Sequence, residues 1–306
     1  MNSAVSDAAL IGMDWGTSSL RAFLIGMDGE VLDVISTSLG IMHVEDRDFD
    51  SVFHDLLKAW LAEKTLPVIA SGMITSRNGW VETPYVQVPS GIEELASALV
   101  THETSKGVQL KFVTGMTTEH DGAPDVMRGE ETQIVGASAA GLGDGVYVMP
   151  GTHSKWITVS DGRIGDYMTY MTGELFGTLK THTILGTLME DGPFNETGFR
   201  LGVKSGLSSK GNLLHELFHV RTLPLFGKIS EEMSADYLSG MLIGAEVKFA
   251  AKSLKADQTV TIVGRGDLAD RYEIALGVAD LASRRAPDNI VARGHFLIAK
   301  SAGLIS

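Results

Sequence analysis

Short apolar runs broken by Gly, Asp and Ser punctuate this chain, and one pattern of run and turn occurs twice. In the first copy Ala9-Leu10-Ile11-Gly12-Met13-Asp14 leads into Gly16-Thr17-Ser18-Ser19. A run over residues 20–27, the pair Asp28-Gly29 and a run over 30–35 follow. In the second, Val146-Tyr147-Val148-Met149 leads into Gly151-Thr152-His153-Ser154, then residues 155–160, Asp161-Gly162 and a run from Arg163 onward. Apolar runs of this length bounded by turn residues read as strands, and self-similarity at a distance reads as an internal repeat. Asp-Gly between two such runs predicts a tight primed hairpin, whose positive φ angles these residues tolerate. Each half is therefore expected to open with a three-stranded meander. The middle strand of the second copy is expected to be two residues shorter, one from each arm, which preserves its register.

Helical periodicity follows each meander, over residues 49–62 and 173–189, and further strand-like runs lie at 66–70, 110–114 and 260–263. Residues 230–254 read as one long helix, with Ser230 as N-cap and Glu231 and Glu232 in the first turn, where the helix dipole favours carboxylates. Strands alternating with helices in two similar halves predict a duplicated α/β architecture. A chain of 306 residues is also longer than one core usually organises, so two domains of about 150 residues are expected, with a cleft between them as the default site.

Composition narrows the function classes. A net charge of −13, with no Lys- and Arg-rich run, argues against a nucleic-acid partner. The absence of cysteine removes disulfides, thiolate metal sites and cysteine nucleophiles, and fits a reducing compartment. With neither a signal-peptide pattern at the start nor an apolar stretch of membrane-spanning length, a soluble, cytoplasmic protein without a membrane partner is expected.

The glycine-threonine turns carry the candidate chemistry. Gly, Thr and Ser between two strands set backbone N–H groups and hydroxyls around a concavity that suits phosphate oxygens. Two such turns facing each other would grip a triphosphate, through Gly16, Thr17 and Ser18 on one side and Gly151, Thr152, His153 and Ser154 on the other. Asp14, at the end of its strand, is placed to orient Mg²⁺ or its waters against the phosphates. Arg21 and Lys155, on the two middle strands, would supply positive charge to the transferring group. Farther on, an apolar run ends in Gly264-Arg265-Gly266 before a helix-like stretch over 268–279, a strand-to-helix loop that would let adenosine lie against the backbone.

Asp14-Trp15-Gly16-Thr17-Ser18-Ser19-Leu20-Arg21 resembles the first phosphate motif of the actin and hexokinase superfamily of ATPases, and Gly151-Thr152 resembles the second. Gly72-Met73-Ile74-Thr75-Ser76-Arg77-Asn78-Gly79-Trp80, Met127-Arg128-Gly129-Glu130-Glu131-Thr132-Gln133 and Pro150-Gly151-Thr152-His153-Ser154-Lys155-Trp156 together resemble the 2-dehydro-3-deoxygalactonokinase family. The resemblance spans nearly the whole chain. It implies a duplicated ribonuclease-H-like, actin-like two-domain α/β fold with ATP and Mg²⁺ in the interdomain cleft. It also implies phosphorylation of the terminal hydroxyl of 2-dehydro-3-deoxy-D-galactonate. On this reading residues 1–135 form an actin-like domain with the acceptor pocket and residues 136–288 a second one with the adenosine contact. Residues 289–306 form a helix returning to the first.

Similar sugar kinases carry a catalytic Asp where the helix into the second domain begins, and the matching stretch here offers Glu130 and Glu131. Spacing favours Glu130, and the choice stays open. A carboxylate-bearing acceptor calls for a planar guanidinium, which points to Arg77 with Ser76 for its acid group, and to Trp80, Glu82 and Tyr85 around the sugar. For Trp80 and Tyr85 core packing is an equal alternative. His215 and His219 lack a third local ligand, and the scattered methionines read as core filler. Two other functions remain open: a kinase for another sugar acid or polyol, such as the 2-dehydro-3-deoxygluconate epimer, and a non-catalytic ATP-switched protein of the same fold. Oligomeric state is also open, a homodimer among the options.

Overall fold

In the computed structural model residues 3–209, 212–254, 258–264 and 266–306 are described. The chain divides into two compact units. Unit 1 comprises Met1–Asp144, Thr158–Tyr167 and Pro287–Ser306, and unit 2 comprises Gly145–Ile157 and Met168–Ala286.

Unit 1 is built on a six-stranded sheet of β1 (Ala8–Trp15), β2 (Leu20–Gly26), β3 (Val31–Thr37), β4 (Val68–Ser71), β6 (Val100–Glu103) and β7 (Gln109–Phe112), in the order β3-β2-β1-β4-β7-β6. β1, β4 and β7 run parallel, while β2, β3 and β6 pair antiparallel with their neighbours. β1 is buried along both faces, which accounts for its continuous apolar run. A smaller sheet joins β5 (Tyr85–Gln87), β8 (Gly115–His120) and β9 (Ala123–Met127). Besides α1 (Ser3–Asp7) and α3 (Ile92–Ser97), the unit holds α2 (Phe49–Glu63) and α4 (Glu130–Ala137). In α2 the buried Phe49, Phe53, Leu57 and Trp60 recur at helical spacing and pack with Trp15, Met13 and Phe112 in one core. Asp48 caps this helix by accepting the Ser51 N–H at 3.1 Å.

The second sheet contains β10 (Gly145–Met149), β11 (Ser154–Ser160), β12 (Arg163–Tyr170), β13 (Val260–Ile262) and β14 (Ser283–Arg285), in the order β12-β11-β10-β13-β14. β10, β13 and β14 are parallel. Its order repeats the β3-β2-β1-β4-β7 order of the first sheet, so the duplication seen in the turns extends through the whole strand arrangement. The helices of unit 2 are α5 (Thr172–His182), α6 (Glu196–Ser208), α7 (Leu213–Glu216), α8 (His219–Leu225), α9 (Glu231–Ala250) and α10 (Gly266–Val278). The last helix, α11 (Ile290–Ser301), packs on α4 and β1 within unit 1.

α9 is buried nearly all the way round, which suits a helix at the centre of a core. It crosses α6 at a distance that only small residues permit. A Cβ at Gly202 would lie 2.0 Å from the Tyr237 carbonyl oxygen, and one at Gly240 would lie 2.1 Å from that of Phe199. No helix among the described residues is long and apolar enough to cross a membrane.

Local geometry departs from the sequence expectation in four places. The two middle strands, β2 and β11, are both seven residues long, because Met27 falls into the turn and Ser154 already belongs to the strand. Only the second hairpin has the primed turn, with Asp161 at φ 53° and Gly162 at φ 70°. In the first, Gly29 alone takes positive φ and its N–H donates to the Gly26 carbonyl, which makes a longer turn followed by a bulge. The helix expected over 173–189 breaks at Thr183, whose hydroxyl accepts the Leu185 N–H at 3.2 Å and starts a 3₁₀ turn. Ser230 occupies the N-cap position of α9, but its side chain makes no capping hydrogen bond.

Candidate active site

The first turn is held from inside, so that its hydroxyls face outward. Gly16 N–H donates to the Ser19 carbonyl at 2.9 Å, and the carbonyls of Gly16 and Thr17 accept from Ile41 and Met42 N–H at 3.0 and 3.1 Å. The Trp15 indole N–H donates to the Leu39 carbonyl at 2.9 Å and fixes the strand end. Thr17 and Ser18 remain exposed.

Three strands meet at Asp14, which is in register with Arg21 on β2 and Ser71 on β4. The Arg21 guanidinium donates to Asp14 Oδ2 at 2.5 Å, with both side chains partly buried. Behind them His295 of α11 is fully buried, with Nε2 2.8 Å from Ser71 Oγ. Burial and the Arg21 charge push its pKa down to about 3, so the ring is neutral at any working pH. A Cβ at Gly12 would lie 2.7 Å from His295 Nδ1, so α11 seats directly against β1.

The loop after β4 and the start of α4 converge on the same strand end. Gly72 has φ 96°, and a Cβ there would meet the Trp15 carbonyl oxygen at 2.8 Å and Asp14 Oδ1 at 3.4 Å. Gly129, at φ 108°, precedes α4, and its Cβ would come within 2.9 Å of Gly72 Cα. Two glycines in the left-handed region thus let the helix bearing Glu130 and Glu131 approach the strand bearing Asp14. Arg128 ties the loop to the helix start. Its guanidinium donates to the Thr75 hydroxyl at 2.9 Å and to the Thr83 hydroxyl and carbonyl at 2.5 and 2.9 Å, and lies 4.2 Å from the centre of the Tyr85 ring.

The two glutamates stand in different surroundings. Glu130 is half-buried and accepts the Arg128 N–H at 2.9 Å. Glu131 is fully buried, accepting the Gly129 N–H at 2.7 Å and the Thr132 hydroxyl at 3.1 Å. Burial, reinforced by the neighbouring Glu130 charge, raises its pKa to about 8, and it keeps its proton at neutral pH.

Among the acceptor candidates, Ser76 is half-buried and its hydroxyl donates to the Met73 carbonyl at 2.7 Å. Arg77 is exposed and takes no partner among the described residues. Glu82 and Tyr85 are exposed as well. Trp80 points the other way, into the core, with its ring centre 5.9 Å from Phe53, 6.1 Å from Phe112 and 6.3 Å from Trp15.

In unit 2, Thr152 and His153 are exposed, and His153 pairs with Glu174. The turn rests on the start of α5, where the Glu174 N–H donates to the Thr152 carbonyl at 2.9 Å. Ser154 and Lys155 are buried, and the Lys155 ammonium donates to the His153 carbonyl at 3.3 Å. A Cβ at Gly264 would sit 3.5 Å from the Pro150 ring, so the loop after β13 lies beside the turn, and Gly266 opens α10 at φ 65°. Arg265 lies outside the described residues.

Three further side chains stand out only once the chain is folded. Arg128 belongs to a motif without a role of its own there, while His295 and Glu246 are buried titratable residues on helices whose buried positions are mostly apolar. That placement is itself a signal, because a titratable group on a buried face needs partners.

No group of three His, Cys, Asp or Glu side chains that could hold a metal ion occurs among the described residues. Asp14 offers one partly buried carboxylate at the strand end, an oxygen donor of the kind Mg²⁺ takes alongside phosphates and waters.

A family model described as 2-keto-3-deoxy-galactonokinase matches residues 14–298. The chain is 34% identical over 268 residues to the 2-dehydro-3-deoxygalactonokinase of Escherichia coli (strain K12), which covers 88% of this chain and 89% of the relative. A crystal structure of a Sinorhizobium meliloti protein assigned the same activity superposes with a TM-score of 0.85 at 33% identity, over 96% of this chain and 95% of that one. At the level of fold alone, the ADPNP-bound activator of 2-hydroxyisocaproyl-CoA dehydratase from Clostridium difficile matches with a TM-score of 0.52 at 11% identity, over 95% of each chain.

Proposed function

The chain belongs to the 2-keto-3-deoxy-galactonokinase family, and we propose that it moves the γ-phosphoryl group of ATP onto the terminal hydroxyl of 2-dehydro-3-deoxy-D-galactonate, giving the 6-phosphate. The observation that supports this reading most strongly is the convergence in unit 1. The Asp14 strand end, the loop carrying Ser76 and Arg77, and the start of α4 with Glu130 all pack around Gly72 and Gly129.

Glu130 is the group that accepts the proton of the attacking hydroxyl. Glu131 already holds a proton at neutral pH, which leaves its neighbour as the available carboxylate. The new P–O bond forms to the acceptor oxygen as the bond to the ADP oxygen breaks, and the hydroxyl proton passes to Glu130 and then to solvent. General-base help of this kind is worth about 10²- to 10⁴-fold in rate. The remainder of the acceleration comes from positioning and charge.

Phosphate binding is assigned to the turn at Gly16, Thr17 and Ser18 and to the turn from Gly151 to Ser154, and adenosine binding to Gly264, Arg265 and Gly266. Asp14 would hold Mg²⁺, which neutralises phosphate charge when bound. Arg21 fixes the rotamer of Asp14 and adds positive charge on the phosphate side, as Lys155 does from unit 2. Arg77, exposed and unpaired, takes the carboxylate of the sugar acid with Ser76, while Glu82 and Tyr85 flank the sugar. Trp80 stiffens this loop from the core side. Residues 1–135 thereby carry the acceptor pocket and the first phosphate turn, and residues 136–288 the second turn and the adenosine contact. A cytoplasmic setting is part of this reading, and a sequence without cysteine fits a reducing compartment.

Glu130→Gln tests the assignment. Its kcat should fall about 10²- to 10⁴-fold with ATP affinity nearly unchanged. A near-normal kcat removes Glu130 from the base role.

A further inference from the structure

Glu246 lies on α9, a helix buried nearly all the way round, and is itself only 3% exposed. No cation pairs with it among the described residues. Its compensation comes instead from four neutral donors. The Trp156 indole N–H reaches Oε1 at 2.8 Å, while Ser154 Oγ at 2.7 Å, Tyr272 Oη at 2.8 Å and Thr172 Oγ1 all converge on Oε2. Burial raises the pKa of this carboxyl, and the four donors oppose that rise.

Each donor sits on an element that forms part of the surroundings of the second turn. Ser154 ends the turn and begins β11, with Trp156 two residues on. Thr172 opens α5, whose next residue is wedged beneath the turn, since a Cβ at Gly173 would lie 2.4 Å from the Gly151 carbonyl oxygen. Tyr272 lies on α10, and with Thr172, Leu268 and Gly151 it lines a small cavity beside the turn. One carboxylate thus fixes β11, α5 and α10 against α9. A buried charge is a poor way to gain stability alone, since apolar replacements of similar volume often do as well. A fully satisfied polar network does fix geometry, and geometry is what a phosphate turn requires.

We propose that Glu246 is a positioning residue for ATP, setting the Gly151–Thr152 turn through Ser154 and Thr172 without touching substrate. This rests on the reading that the turn binds the nucleotide's phosphates.

Glu246→Gln tests it. The amide keeps an acceptor for Trp156 but turns an NH₂ toward three hydroxyls that now donate, so the Oε2 side of the network must reorganise. We expect KM for ATP to rise about tenfold, the equivalent of one charge-assisted hydrogen bond, while KM for the sugar acid stays within about twofold. Tyr272→Phe removes a single donor, should raise KM for ATP about threefold, and decides the matter should the first variant not fold. Equal rises in both KM values, or no change in either, would reduce Glu246 to an ordinary core residue and overturn the proposal. Thr152→Ala separates the two levels. If it weakens ATP binding while Glu246→Gln does not, only the role of Glu246 falls. If it leaves ATP binding intact, the turn reading fails and the proposal fails with it.

Discussion

Replacing Glu131 by Gln should make the protein more stable in alkaline solution and leave it nearly unchanged in acid. Glu131 is fully buried, beside Glu130, and its pKa is raised from an ordinary 4.5 to about 8. Below pH 4.5 the side chain is protonated in the folded and unfolded states alike, and contributes no pH dependence. Between 4.5 and 8 the unfolded chain releases this proton while the native protein keeps it, so stability falls as pH rises. Above 8 both states are ionised and the full cost remains. Each pKa unit corresponds to about 1.4 kcal/mol, which gives a loss on the order of 3 to 5 kcal/mol across the window. The glutamine variant keeps an acceptor for the Gly129 N–H, places its NH₂ against the Thr132 hydroxyl and cannot titrate. Thermal unfolding at pH 5 and pH 8.5 measures the effect. The wild type should lose roughly 10 °C relative to the variant on moving to the higher pH. Parallel pH dependence in the two proteins would show that Glu131 ionises normally, and the argument that leaves Glu130 as the base would then be lost.

Arg77→Ala should raise KM for the sugar acid about tenfold or more and leave KM for ATP nearly unchanged, because a bidentate carboxylate contact is lost. Steady-state kinetics with each substrate varied in turn will check this, and the reverse pattern would move Arg77 to the nucleotide. Gly202→Ala should destabilise unit 2 by roughly 2 to 4 kcal/mol, since its Cβ would stand 2.0 Å from the Tyr237 carbonyl oxygen and force α6 away from α9. A melting curve matching the wild type would mean that the two helices separate at little cost.

What the sequence makes legible is local. The Gly-Thr turns, the Asp-Gly hairpins and the strands at 68–71, 109–112 and 260–262 follow from alternation and turn chemistry acting over a few residues. The repeat reads out the three meander strands of each sheet, whereas the matching β4-β7 and β13-β14 order emerges only in the structure. The small sheet was not readable. β8 is largely polar, β9 carries a proline and is mostly exposed, and β5 joins β8 in parallel across an intervening helix and two strands of the other sheet. Glu246 and His295 were hidden for a related reason. Ser154 is 92 residues before Glu246, and Ser71 is 224 residues before His295, so no sequence window contains both the buried group and the partner that makes its burial tolerable. The different environments of Glu130 and Glu131 likewise come from how the helix seats on Gly72, which adjacent positions in a sequence do not reveal.

The most direct test of the account is to incubate the protein with ATP, Mg²⁺ and 2-dehydro-3-deoxy-D-galactonate and follow phosphorus by NMR. Formation of ADP matched one for one by a phosphate monoester at the terminal carbon, and absent without the acid, is the predicted result. ADP released at the same rate whether or not the acid is present, or an ester at another carbon, would contradict it.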